Sequence, residues 1–178
     1  HRWYWNMDER GVNRPRRKPS KSKREPSGVG VLPGTYTAIL SSATVSNVVE
    51  IQVKSDPRIE TSIEGLTKQY NAAKQLEALT DLAAKAVAQL VESKATLKDY
   101  QQRIEKQDSV AHKAIIDKCK DASKEITQLI DLFLGKEDKR QGIVRNPAQT
   151  VMTRISAARR YVYSRPDGIT TTEEVLMQ

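Results

Sequence analysis

The sequence predicts an α+β fold: a partial antiparallel β-sandwich over residues 1–57, then a long antiparallel helical hairpin with a third packed helix over residues 58–178. Three observations carry that prediction. Short alternating apolar and polar runs precede Asp56-Pro57, a stripe with helical spacing begins near Ile63, and the aromatic residues are unevenly placed. Four of the nine aromatics, Trp3, Tyr4, Trp5 and Tyr36, precede residue 40. The β part should therefore pack through rings, and the helical part through Leu, Ile, Val and Ala. At 178 residues with 38% hydrophobic side chains, the chain suits one ordinary domain or two small ones.

His1 to Asp8 alternates as a strand would, with Trp3, Trp5 and Met7 on one face and Arg2, Tyr4 and Asn6 on the other. From Arg10 to Gly30, three prolines interrupt a Ser-, Lys- and Arg-rich run that has little apolar surface to offset chain entropy, so a long mobile loop is expected. Pro33-Gly34 is a turn signal, and Thr35 to Leu40 then alternates with strong β propensity. Val45 to Val53 repeats the pattern through Val49, Ile51 and Val53, and the short polar link Ser41 to Thr44 suits an antiparallel hairpin. Three strands alone are marginal, so this sheet should dock on the helices or be completed by strands from elsewhere.

Thr61-Ser62-Ile63-Glu64 fits a capping box, in which Thr61 and Glu64 satisfy backbone donors of the first helical turn. The following stripe comprises Ile63, Leu66, Tyr70, Ala73, Leu76, Ala83, Val87, Leu90, Leu97 and Ile104. Unbroken to Gln107, such a helix is roughly 65 Å long, and Thr80-Asp81 is the place to bend. A second helix, capped by Asp108 or Ser109, carries His112, Ile115, Cys119, Ala122, Ile126, Leu129 and Phe133 at steps of three and four, and Gly135 closes it. The short link between the two helices makes an antiparallel pair the natural geometry. Asn146-Pro147 should start a third helix that runs through Val151, Ile155, Ala158 and Val162 to near Arg165. Asp167-Gly168 then turns the chain into a helical pattern over residues 171–177.

The net charge of +8 is segregated. Residues 10–24 hold eight Lys or Arg and no acid, and residues 139–165 hold seven and no acid, which leaves 15 of the 30 basic residues against all 22 acids elsewhere. The first run, Arg10, Arg14, Arg16, Arg17, Lys18, Lys21, Lys23 and Arg24, is a candidate polyanion-binding set, because flexible cations neutralise phosphates or anionic glycans by releasing counterions. No aromatic is interleaved to stack on bases, so a solvated excursion between strands is the plainer expectation. Arg154, Arg159, Arg160 and Arg165 are expected to face acids on the two long helices.

Other chemistries find no footing in the sequence. His112 and Cys119 share a helix face but lie about 10.5 Å apart along the axis, too far to hold one ion, and read as core-edge side chains. Cys119 is the single cysteine, which excludes an intramolecular disulfide, and it reads as a small apolar residue. A Ser or Cys nucleophile lacks a neighbouring base, since the second histidine is the distant His1. Asp117 and Asp121, among Lys113, Lys118, Lys120 and Lys124, read as surface charges in i,i+4 pairs. No phosphate loop, calcium loop or dinucleotide fingerprint is present. No run approaches the roughly 18 apolar residues of a membrane span, and the first residues lack the apolar core of a secretion signal, so a soluble chain is expected. The start at His1 and the end at Gln178 within a helical pattern are what a part of a longer polypeptide would show.

The run Val31-Leu32-Pro33-Gly34-Thr35-Tyr36-Thr37-Ala38-Ile39-Leu40, followed after a hairpin by Val53-Lys54-Ser55-Asp56-Pro57-Arg58, resembles a known family. It is similar to the C-terminal region of large exported bacterial proteins, especially from Bacteroidetes, that carry sortilin-like or BNR-repeat β-propellers. Trp5-Asn6-Met7 resembles the Trp-Asn-hydrophobic strand that precedes Pro-Gly-Thr-Tyr there. The resemblance covers about Arg2 to Gln178. It implies an immunoglobulin-like or flagellar-hook-cap-like sandwich joining a propeller to a closing helical segment, in a periplasmic or extracellular protein. Two departures stand out: the insertion between Trp5 and Pro33 is unusually basic, and the propeller lies outside this sequence. Family members are often labelled glycosidase-like on the strength of their propellers, so an enzymatic alternative belongs to a full-length parent. No residue here receives a catalytic, cofactor or metal role.

The expected function is that of a non-catalytic accessory and interaction module, coupling a helical arm to an N-terminal domain of the same polypeptide or to a protein partner. The alternative is binding of nucleic acid, an anionic glycan or a membrane surface through residues 10–24.

Overall fold

The computed structural model describes residues 4–108, 110–137 and 149–176. It is α+β, with two small antiparallel sheets, one long helix and further shorter helices. Its contacts group into two units, one of His1–Gly11, Glu25–Glu77 and Ala158–Gln178, the other of Val12–Arg24 and Ala78–Ala157.

In the first unit, β1 (Asp8–Arg10) pairs antiparallel with β2 (Ser27–Gly30), with an irregularity between Asp8 and Arg10. This corrects two expectations. The predicted strand over residues 1–8 is not formed at residues 4–7, because Met7 takes a left-handed backbone with φ 57° that breaks the alternation, while the Trp5 indole donates to the Asp8 carbonyl at 3.0 Å. Trp3 lies outside the described residues. The predicted loop over residues 10–30 gives its last four residues to β2, where Val29 is 4% exposed.

Strands β3 (Gly34–Ser41) and β4 (Ser46–Val53) form the expected hairpin, with Tyr36 opposite Ile51 and Ala38 opposite Val49. The Ser42 and Val45 backbones exchange hydrogen bonds across the turn. Close to β2 the hairpin is partly covered: Trp5 packs on Tyr36 with ring centroids 5.4 Å apart, and the Tyr36 hydroxyl donates to the Leu32 carbonyl at 2.6 Å. Toward the turn both faces are open, since Ile39, Leu40, Val45, Val48 and Val49 are all more than half exposed.

Helix α1 (Ile63–Asp108) runs unbroken through Thr80-Asp81. Its cap is Ser62, one residue later than predicted: Ser62 Oγ accepts from the Gly65 N–H at 2.9 Å, and Glu64 pairs forward with Lys68. With the helix starting at Ile63, Thr61 is too early to reach that donor, and Ile63 itself is 76% exposed and outside the stripe. Gly65 abuts the turn that follows helix α3 (Val151–Val162). A Cβ on Gly65 would stand 2.5 Å from the Asp167 carbonyl oxygen, and one on Gly168, at φ 111°, would stand 2.7 Å from Gly65. Gln69 extends the junction by donating to the Val162 carbonyl at 2.7 Å, which the end of α3 leaves without a helical partner, and to the Arg165 carbonyl at 3.0 Å in the turn that follows. Val29, Ala73 and Val162 form the buried core of this unit, with Tyr70, Ala72 and Leu76 against it. Thr170 caps the short helix α4 (Thr171–Leu176), with its N–H donating to Glu173 at 2.8 Å.

In the second unit, α1 continues its stripe through Ala83, Val87, Leu90, Leu97 and Ile104, and Val87 is 0% exposed. Helix α2 (Lys113–Leu134) ends as expected, the Gly135 N–H donating to the Asp131 carbonyl at 2.7 Å with φ 79°. Its buried face is turned relative to the prediction. Of the predicted stripe, His112, Cys119, Ala122, Ile126 and Phe133 are half-buried, whereas Ile115 and Leu129 are exposed and Ile116 and Ile130 are buried in their place, with Ser123 and Thr127 half-buried beside them. Two small hydroxyl residues belong to this face and an apolar count passes over them; Thr127 satisfies its hydroxyl by donating to the Ser123 carbonyl at 2.8 Å. His112 precedes α2 as its cap residue without a capping side-chain bond; the predicted Ser109 lies outside the described residues, as does the Asp108 side chain. Asn146 and Pro147 also lie outside them. The cap that α3 shows is the buried Thr150, whose Oγ accepts from the Thr153 N–H at 3.1 Å while Thr153 Oγ accepts from the Thr150 N–H at 2.7 Å.

The Gly65–Gly168 approach leaves no room for a methyl group. Gly168→Ala should lower the stability to urea by about 2 kcal/mol through left-handed strain and backbone crowding, whereas Gly34→Ala, whose Cβ would meet its nearest neighbour at 3.9 Å, should be nearly neutral.

Candidate functional site

The eight cations of the candidate polyanion set divide between the two units. Arg10 is on β1 in the first unit, 3.7 Å from Glu25; the other seven belong to the second unit. Residues 12–24 are not the predicted solvated excursion throughout, because Pro15 is buried and Arg17 is anchored. Arg17 Nη2 donates to Asp131 Oδ1 at 2.7 Å and to the Gly135 carbonyl, with the side chains of Arg17 and Asp131 only 25% and 22% exposed. The anchor sits where the carbonyls at the end of α2 lack helical donors, which favours a cation. Arg14, Arg16, Lys18, Lys21, Lys23 and Arg24 remain exposed. Serine hydroxyls turn the backbone between them: Ser20 Oγ accepts from the Ser22 N–H and Ser22 Oγ from the Arg24 N–H, both at 3.2 Å.

Beside this anchor is a cavity of about 450 Å³. Arg17 and Lys18 reach it from the basic segment, Lys94 from α1 and Lys136 from beyond α2, against the acids Asp131 and Glu137. Val91 and Ile130 supply an apolar wall. Lys94 is half-buried and held, its Nζ donating to Thr127 Oγ1 at 2.6 Å; the same bond joins α1 to α2. Lys94 falls on the α1 stripe between Leu90 and Leu97, at a position that apolar periodicity skips.

The second basic stretch takes partners other than those expected. Arg165 pairs with Asp167 at 2.9 Å in its own turn, and Arg159 lies over the Tyr163 ring at 5.8 Å. Among the described residues, none of Arg154, Arg159, Arg160 and Arg165 pairs with an acid of the two long helices, because α3 presents the three helical ones on its exposed side. His112 and Cys119 are both half-buried. Asp117 makes an exposed i,i+3 contact with Lys120 at 3.9 Å. Among the described residues, no group of three or more His, Cys, Asp or Glu could hold a metal, and no helix is long and apolar enough to cross a membrane.

A second polar cluster fastens β1 to α1 within the first unit. The Tyr70 hydroxyl donates to Glu9 Oε1, and Lys74 Nζ donates to Glu9 Oε2 at 3.0 Å and to Glu77 Oε2 at 2.6 Å. The Tyr70 hydrogen bond, and after it that of Lys74, holds the Glu9 carboxyl below its ordinary value of 4.5. Tyr70 is raised by donating to Glu9, and Lys74 is raised by Glu77 and then Glu9. Each of the four side chains bonds at least one of the others, as in a structural clamp.

No family model matches the chain, and neither does any curated protein or solved structure.

The clamp makes stability depend on pH. A lowered carboxyl contributes stability that is complete above 4.5 and is lost as the pH falls through the folded value. Tyr70→Phe should lower the melting temperature by about 2–4 °C at neutral pH, and the gap from wild type should close as the pH is taken from about 5 to about 3. A gap that stays constant across that range would contradict this assignment.

Proposed function

We propose that the chain is a non-catalytic interaction module that couples a helical arm to an adjoining β domain of the same polypeptide. The observation that carries this reading is the outer half of the β3–β4 hairpin. A two-stranded sheet has two open edges, and this one exposes Leu40 at 72%, Val45 at 66% and Ile39 at 64%. Such apolar edges are templates for a further strand, and natural proteins cover or charge them. Three or more strands on an apolar face are also what gives a sheet independent stability. Strands of an adjoining domain would complete β3–β4 as a partial sandwich. The resemblance to sortilin-like and BNR-repeat proteins supports a β-propeller as that neighbour and an exported setting. On this reading α1 and α2 form an antiparallel hairpin, with the stripe of one facing the turned stripe of the other and α3 beside them.

A second reading is favoured by the six exposed cations of residues 14–24, which provide a polyanion-binding surface attached at Arg17. Nucleic acid or an anionic glycan would meet it through charge with little demand on geometry.

The hairpin reading is tested by hydrogen exchange on this chain alone and on the longer protein that carries it. The outward-pointing amides of β3 and β4 should exchange quickly in the chain alone and be protected at least tenfold in the longer protein. Equal exchange in the two would overturn the proposal.

A further inference from the structure

We infer that the cavity beside Arg17 is a binding site for a compact dianion of the phosphate class, such as inorganic phosphate or a phosphate monoester. Its volume of about 450 Å³ falls within the range of small-molecule sites and exceeds that of a phosphate group alone, which leaves room for the organic part of an ester. Among the described residues, four cations and two acids line it, an excess of two positive charges of the sign that attracts a phosphate dianion.

Two of the cations are positioned before any ligand arrives. Arg17 is held by Asp131 and the Gly135 carbonyl through Nη2, which leaves the donors on Nε and Nη1 of a five-donor guanidinium. Lys94 directs one of its three ammonium donors at Thr127 and keeps two. Holding these side chains in advance reduces the ordering cost of binding. The apolar wall of Val91 and Ile130 thins the water beside the charges and strengthens their pull on an anion relative to the exposed Lys21, Lys23 and Arg24. Lys18 and Lys136, exposed at the margin, can close on the remaining oxygens.

The site is distinct from diffuse polyanion attraction. In diffuse binding every exposed cation counts about equally; in the cavity, Lys94 counts most although it is the least exposed of the lysines concerned.

The test is calorimetric titration of the whole chain with inorganic phosphate and with glycerol 3-phosphate, at low salt. Expected is saturable one-site binding of at least one probe, weakened about tenfold by Lys94→Gln and severalfold by Lys136→Ala, an exposed position where folding should be untouched. The triple change Lys21→Ser, Lys23→Ser, Arg24→Ser should alter it less than twofold. Tighter binding of the free ion or of the ester tells which source of the phosphate group the cavity prefers. Absence of saturation, indifference to both Lys94→Gln and Lys136→Ala, or loss with the triple change would overturn the site. Binding of double-stranded DNA to the same proteins separates this from the polyanion reading: if that reading holds, the triple change lowers the slope of log affinity against log salt by about 2 to 3, whatever the cavity does.

Discussion

The apolar face of α1, stepping alternately by four and three residues from Leu76 through Thr80, Ala83, Val87, Leu90, Lys94, Leu97 and Gln101 to Ile104, is the constraint on which both units depend. Among the described residues, no other helix is of comparable length. In the first, the segment around Ala73 is covered by Val29 of β2 and Val162 of α3; in the second, Ala83 and Val87 are removed from solvent. Burial of this face supplies the free energy that a helix of this length does not obtain from propensity alone. The sheets contribute less, because each has two strands and β3–β4 exposes most of its outer half.

Polar contacts decide which segments attach to that face. Glu9 bonds Tyr70 and Lys74, so the short strand β1 is fastened to the start of α1 although all three of its residues are charged. Arg17 does the same for the basic segment at the end of α2. Each contact spans more than 60 residues and is partly shielded, so each removes chain freedom with a few charge-assisted hydrogen bonds. Charge segregation along the sequence thus has two outcomes. One cation becomes structural, and its neighbours at 14, 16, 18, 21, 23 and 24 remain at the surface.

What was legible in the sequence is what short-range periodicity encodes. The alternation of Tyr36, Ala38 and Leu40 against Val49, Ile51 and Val53 located β3 and β4 closely, and Gly135 located the end of α2. Periodicity was less informative wherever a polar residue does the work of an apolar one. Lys94 and Gln101 complete the α1 stripe, and Ser123 and Thr127 turn the buried face of α2 away from Ile115. At the start of α1, two hydroxyl residues stand side by side, and the pattern alone favoured Thr61 over the Ser62 that caps it. The cavity was illegible for a different reason. Its residues come from four places in the sequence, and nothing local links Arg17 to Asp131 or Lys94 to Thr127.

The most direct measurement of the central claim is urea unfolding of Val87→Ala beside Leu82→Ala. Both shorten an aliphatic side chain within α1, but Val87 is 0% exposed and Leu82 is 65% exposed. If the buried face of α1 carries the fold, Val87→Ala costs about 2–3 kcal/mol in lost transfer energy and cavity formation. Leu82→Ala then stays within about 0.5 kcal/mol of wild type. Equal losses at the two positions, or a larger one at Leu82, would contradict the account.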